Sequence, residues 1–204
     1  MHQQLTFDSV EGFLSVPEIV QVSTCQVPVG EHSIFDHLQR HLLSEAEALV
    51  YLKINECSHW ESGSSHGLSY SRLSKDCGMS RSQVIAAVKG LVSKGWLSKN
   101  VRGNNLANTY QVVHHFCDPL DAPLDQDGLP KKCAMPRGAG SAFALLGAGR
   151  ISWQACLYWH VCKMLSDWSN NFISLTIAQA REWLRFGQQT ICDIRKIYRL
   201  PKKG

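Results

Sequence analysis

The sequence predicts a mainly α protein with one small antiparallel β ribbon, built from two copies of a helical unit of which the second is incomplete. The first observation behind this is a repeat. Leu43-Ser44 to Trp60 is answered at an offset of 108 by Ile151-Ser152 to Trp168, and a polar gap then leads to Leu68-Ser69 in one copy and Leu175-Thr176 in the other. With the offset slipping to 107, Leu73 answers Ala180, Cys77 answers Leu184, Met79 answers Phe186, Val84 answers Ile191 and Ala87 answers Ile194. A period this long marks duplicated small domains rather than a solenoid. The second observation is that apolar residues recur at helical spacing in both copies. The third is that an alternating ribbon pattern follows only the first copy.

In chain order, residues 1–42 read as an acidic N-terminal segment, with Asp8, Glu11, Glu18, Glu31 and Asp36 against Arg40. The first module spans 43–116. Ser44 and Glu47 have capping-box spacing, and Ala46, Leu49, Val50, Leu52 and Cys57 supply an apolar stripe, so 43–60 is a helix. The Gly/Ser content of 61–67 predicts a loop, and 68–70 a very short strand. A short helix over 72–77 should end at Gly78, since glycine accepts the left-handed conformation at a helix C-terminus.

Ser80 and Gln83 repeat the capping-box spacing and open the next helix, with Val84, Ala87, Val88 and Leu91 turned inward. Gly95 ends it. Residues 96–102 and 109–113 then alternate as two strands around a polar hairpin loop, Gly103 to Asn108.

Residues 117–149 hold four of the seven prolines and many glycines and read as a linker, although 141–146 is apolar enough for a short docked helix. The second module covers 150–204. Residues 151–168 match the first module's opening helix but are more hydrophobic, with a face suited to the first module or to a partner chain. Thr176 and Gln179 cap a helix through Trp183 and Leu184, and Gly187 marks a turn. Residues 189–198 then form the last helix, with Ile191, Ile194 and Ile197 or Tyr198 inward. No second ribbon pattern precedes Gly204, so this module is degenerate, truncated or completed by another chain.

Composition narrows the function classes. A hydrophobic content of 44% excludes general disorder. No apolar run approaches the roughly 18 residues of a membrane span, and residues 1–13 lack the pattern of a signal peptide. The eight cysteines are scattered, several at core-type helical positions, which favours reduced thiols in a cytoplasmic protein. Their spacing lacks the paired ligands of structural zinc, and no hydrolytic motif is present, so neither metal, cofactor nor enzymatic activity is expected. Cys156, His160 and Cys162 share a helix, but the cysteines read as small core residues.

Charge is segregated. Residues 72–102 carry Arg72, Lys75, Arg81, Lys89, Lys94, Lys99 and Arg102 against Asp76 alone. Residues 181–204 carry seven cations against Glu182 and Asp193. Each repeat therefore concentrates positive charge in its second half, where a polyanion would be met.

The order helix, short strand, helix, turn, helix and two-stranded ribbon, with the text GMSRSQVIAAVKGLVSKGWLSKNVRGNNLANTYQV, resembles the winged helix-turn-helix modules of bacterial regulators and of phage and plasmid replication proteins. The resemblance covers roughly residues 43–116 and extends in degenerate form to the second copy, giving tandem winged helix-turn-helix modules. It implies double-stranded DNA as partner, with the helix after the turn in the major groove and the wing on the adjacent backbone or minor groove. Carried over, Arg81, Ser82, Gln83, Ala86 and Lys89 are candidate groove residues, and Lys99, Arg102, Asn104 and Asn105 candidate wing contacts. In the second module Gln188, Gln189, Thr190 and Lys196, with Asp193, point outward.

The chemistry suits those positions, since arginine pairs bidentately with guanine and glutamine with adenine. Tandem modules of this kind resemble replication initiators or replisome organisers of mobile elements. A dimeric winged-helix transcriptional repressor and a protein-interaction adaptor, suggested by the aromatic helix 151–168, remain alternatives. A second copy of the chain or a replication or transcription protein are the protein partners left open.

Overall fold

Side-chain caps set where the helices of this chain begin. A computed structural model describes residues 23–59, 62–100, 107–113, 132–166 and 175–197. In it Ser33, Ser44, Ser69, Ser80, Ser141, Ser152 and Thr176 each accept a hydrogen bond from the backbone N–H three residues on. Each satisfies a donor that the first helical turn would otherwise leave without a partner. The helices they open are α1 (Ile34–Gln39), α2 (Glu45–Glu56), α3 (Tyr70–Cys77), α4 (Arg81–Ser93), α5 (Ala142–Gly147), α6 (Trp153–Leu165) and α7 (Ile177–Trp183); α8 (Gln188–Ile197) follows Gly187 without such a cap. The capping boxes expected at Ser44, Ser80 and Thr176 all form.

The first module closes with a three-stranded antiparallel sheet of order β2 (Ser64–Leu68), β4 (Asn108–Val112), β3 (Leu97–Asn100). Strand β2 occupies part of what the Gly/Ser content marked as loop. Its backbone pairs with β4 at Ser64–Gln111 and Ser65–Tyr110, and Ser64 Oγ donates to Gln111 Oε1 at 2.7 Å, so a polar edge strand forms without an apolar run.

The acidic segment and the linker are not separate pieces. Strand β1 (Thr24–Pro28) pairs antiparallel with β5 (Lys132–Pro136), and a 3-10 turn (Gly138–Gly140) leads into α5. Residues 132–149, inside the expected linker, therefore belong to the folded core, and so do residues 24–39 of the expected N-terminal segment. The short helix anticipated at 141–146 is α5. Residues 117–131 lie outside the described residues.

These extra elements extend the repeat and reveal its symmetry. Strands β1 and β5 stand at an offset of 108, as do α1 and α5. The same offset aligns six identities, Cys25/Cys133, Pro28/Pro136, Gly30/Gly138, Ser33/Ser141, Phe35/Phe143 and Leu38/Leu146. Backbone bonds repeat too: Ser33 N to Gly30 O at 3.2 Å matches Ser141 N to Gly138 O at 3.1 Å.

In the ribbon Gln26 lies opposite Ala134, its own counterpart, so the two halves meet across an internal two-fold. Packing obeys it. Helices α2 and α6 meet at the centre, α5 of the second half packs on α3 of the first, and α1 of the first packs on α7 of the second. The halves have exchanged their short helices.

One continuous apolar core, from Cys25 to Ile194, joins them. The apolar pairs Leu43/Ile151, Leu68/Leu175, Leu73/Ala180, Cys77/Leu184, Val84/Ile191 and Ala87/Ile194 are buried in both halves. Helix α6 spends its aromatic face inside, with Tyr158 and Trp159 buried. Of the two alternatives for the last inward position, Ile197 is 44% exposed and Tyr198 lies outside the described residues. The exchange also explains Gly78. It adopts φ +59°, and a Cβ there would stand 2.8 Å from Leu146 Cδ1 of α5. Only glycine suits both the left-handed backbone and the close approach.

Candidate nucleic-acid interface

Helix α4 is held from behind and bare in front. Val84, Ala87, Val88 and Leu91 are buried, while Arg81, Ser82, Gln83, Ala86 and Lys89 are all exposed. The five residues proposed for the groove thus share one surface. The helix contains no carboxylate, and Arg81 and Lys89 form no ion pair among the described residues. Two exposed cations flanking a small Ala86 give a face that lets a helix approach a polyanion closely.

The capping chemistry qualifies the role of Gln83. Its Oε1 accepts from both Ser80 N and Ser80 Oγ at 2.9 Å, and Ser80 Oγ also lies 3.0 Å from Ser82 Oγ. Bidentate reading of adenine needs both ends of the amide. Gln83 therefore acts as an orienting cap, Ser82 shares its hydroxyl with Ser80, and Arg81 and Lys89 are the free cations of the face.

The far end of α4 is clamped by a pair the sequence reading missed. Lys94 Nζ donates to Glu47 Oε1 and Oε2 at 2.9 and 2.8 Å, and Glu47 Oε2 also accepts from Ser44 N at 2.7 Å. One carboxylate thus caps α2 and ties down the end of α4. The approach is so close that a Cβ on Gly90 would fall 2.0 Å from Glu47 Oε1. Behind it Trp96 stacks edge-on against Tyr51 and His37, with ring centroids 5.4 and 5.1 Å away. The spacing of 47 residues between Glu47 and Lys94 gave no local signal.

At the wing, Lys99 is half-buried and donates to Tyr70 Oη at 2.8 Å, with its ammonium 4.9 Å from the Tyr70 ring centroid. Its charge serves to join β3 to the first turn of α3 as well as to face outward. Arg102, Asn104 and Asn105 lie outside the described residues. On α3, Arg72 and Lys75 are exposed, and Arg72 Nε is 3.6 Å from Asp76 Oδ2.

The face of α8 is built differently. Gln188 and Gln189 are exposed and Thr190 is half-buried. Asp193 stands where the first half has Ala86 and gathers the polar groups around it. Gln189 Nε2 donates to both of its oxygens at 3.0 Å, and Lys196 Nζ to Oδ1 at 2.7 Å. Those bonds, Lys196's first, hold the Asp193 carboxyl below its usual range. The i, i+3 and i, i−4 spacings around Asp193 could have revealed this cluster in the sequence.

Among the described residues no group of three or more His, Cys, Asp or Glu side chains is arranged to hold a metal. His160 sits 2.8 Å through Nδ1 from the Cys156 carbonyl oxygen, fully buried between Trp159 and Phe143. Burial pushes it down to about 4. Burial also raises the thiols of Cys25, Cys77, Cys133, Cys156 and Cys162, which makes them poor nucleophiles.

Comparison with known families agrees with this geometry. Residues 41–97 match the family model described as a helix-turn-helix domain. The first half carries a helix-turn-helix domain. The match begins just before α2 and stops at the first residue of β3, so it contains α3, the Gly78 turn and α4. Such a domain suggests DNA binding. No curated protein and no solved structure matches the chain. Among the described residues no helix is long and apolar enough to cross a membrane.

Proposed function

We propose that this chain is a sequence-specific double-stranded DNA-binding protein that acts by occupying its site, without catalysing a reaction. The observation that carries the reading is the outer face of α4. Arg81 and Lys89 stand free, with Ser82 exposed beside them, on a capped helix whose opposite side is locked into the core and whose end is clamped by Glu47 and Lys94. A rigid scaffold holds specific groups near the productive geometry.

Affinity comes largely from cations neutralising phosphates and specificity from α4. Within this class the reading is a cytoplasmic replication initiator or replisome organiser with tandem winged-helix modules, supported by the repetition of α2–α4 as α6–α8. The alternative is a winged-helix repressor, which the internal two-fold also supports. The burial of Tyr158 and Trp159 of α6 in the core favours these readings over the adaptor.

Selection of bound fragments from random duplex DNA at physiological salt tests the proposal. An enriched motif that loses one position with Arg81→Ala is expected. Equal retention of all sequences, or no retention, defeats it. Recurrence of the motif at an origin supports initiation, and a site overlapping a promoter supports repression.

A further inference from the structure

A half-turn between two DNA-facing helices dictates the polarity in which they can meet a duplex. We infer that a single copy of this chain addresses an inverted pair of unequal half-sites, one read in detail by α4 and the other held weakly by α8. This rests on the DNA-binding reading above and adds the symmetry, stoichiometry and inequality of the site.

The symmetry follows from the ribbon. Modules related by translation, as direct repeats require, would carry equivalent strands in parallel. Here β1 and β5 are equivalent and run antiparallel, with Gln26 facing its counterpart Ala134. A duplex has its own two-folds perpendicular to its axis, and helix-turn-helix pairs related by a half-turn meet it as inverted half-sites.

The relation is also fixed. Among the described residues, the exchanged contacts of α5 on α3 and of α1 on α7, the central packing of α2 on α6, and one shared core would all have to break to give a different spacing. Further bonds cross between the halves. Gly138 N donates to Glu56 Oε1 at 3.2 Å, and Arg185 N to Glu45 Oε1 at 2.7 Å. Because the two-fold lies inside the chain, one copy presents both helices.

The inequality follows from the residues. Gln188 stands for Arg81, Asp193 for Ala86 and uncapped Gly187 for Ser80. Lys196 retains the cation of Lys89 but is bound to Asp193. A carboxylate at the centre of the face repels phosphate and most acceptor-rich base edges, and accepts only from donors such as the cytosine amine. The second half-site is therefore short and tolerant of substitution.

The full chain and its selected duplex provide the test, read by native mass and hydroxyl-radical footprinting. Expected are one chain per duplex and two protected tracts of inverted polarity. Inserting roughly 5 bp between them, half a helical turn, should cost at least ~10-fold in affinity, since simultaneous engagement is lost. Asp193→Ala should lengthen the selected motif on the weak side, whereas Arg81→Ala erases the strong side.

A direct-repeat motif overturns the inference, as do two chains per inverted site. Protection of one tract only, indifferent to the insertion and to Asp193→Ala, also overturns it while leaving DNA binding by α4 standing. Absence of any retained DNA defeats the underlying reading instead.

Discussion

The outer faces of α4 and α8 stand at equivalent positions of the internal repeat, yet one carries unanswered positive charge and the other is neutralised. In α4 two cations flank an alanine and nothing answers their charge among the described residues. In α8 an aspartate takes the alanine's place and binds the glutamine and lysine on either side. Their buried sides are alike, with Val84 and Ala87 matched by Ile191 and Ile194. The two halves match in the packing that holds the fold and differ on the faces turned to solvent.

The largest expected effect tests the central pair of helices. His160 of α6 occupies the place of Leu52 in α2, fully buried with its imidazole pushed down to about 4. Between that value and the ordinary value near 6.5 the unfolded chain binds a proton that the folded chain does not. Stability is therefore full above pH 6.5 and falls as pH drops toward 4, by about 3 kcal/mol from this group. His160→Leu, which copies α2, should flatten that dependence in denaturant melts from pH 7 to 4. An unchanged slope would exclude His160 as its source.

Transplanting the difference between the two faces comes next. Ala86→Asp gives α4 the carboxylate of α8, three residues before Lys89 as Asp193 is before Lys196. DNA affinity should fall by about 2 kcal/mol or more through like-charge contact with phosphates. Unaltered binding in a titration would show that this face of α4 does not meet DNA.

Arg81→Ala should cost ~1–3 kcal/mol and relax preference at one base pair. Gln188→Ala, its counterpart, should alter binding much less. Equal losses would erase the distinction between the halves. Lys89→Ala should lower affinity for all sequences alike and reduce the salt slope by about 1.

The smallest effect concerns stability. Gly90→Ala must displace the Glu47 carboxylate that holds Lys94 and caps α2, and should cost about 1–2 kcal/mol. A denaturant midpoint that does not move would mean that Glu47 re-forms both links in another rotamer.

Much of the helix-turn-helix unit was legible along the chain. Ser44, Ser80 and Thr176 announced helix starts, Gly78 announced a stop, and the 3.6-residue period separated Val84 and Leu91 from Arg81 and Lys89. All of these act within a few residues. Strand β5 was hidden because its five residues sit among prolines and glycines that read as linker, although Pro136 ends the strand and Gly138 starts the turn. The identities linking residues 25–38 to 133–146 were present in the text and would have exposed the longer repeat. At the interface, the exposure of the α4 face was predictable from periodicity. The diversion of Gln83 into its cap, of Lys99 to Tyr70 and of Lys94 to Glu47 depends on where other segments lie.

The sequence alone determined the repeated helices, their caps and the two outward faces, because capping and amphipathic periodicity are satisfied by near neighbours. Tertiary structure decided that β1 pairs with its own repeat, that the short helices are exchanged, and that Tyr158 and Trp159 of α6 are buried. Those outcomes join residues about a hundred positions apart, and burying a shared apolar core selects them among arrangements that local rules allow equally.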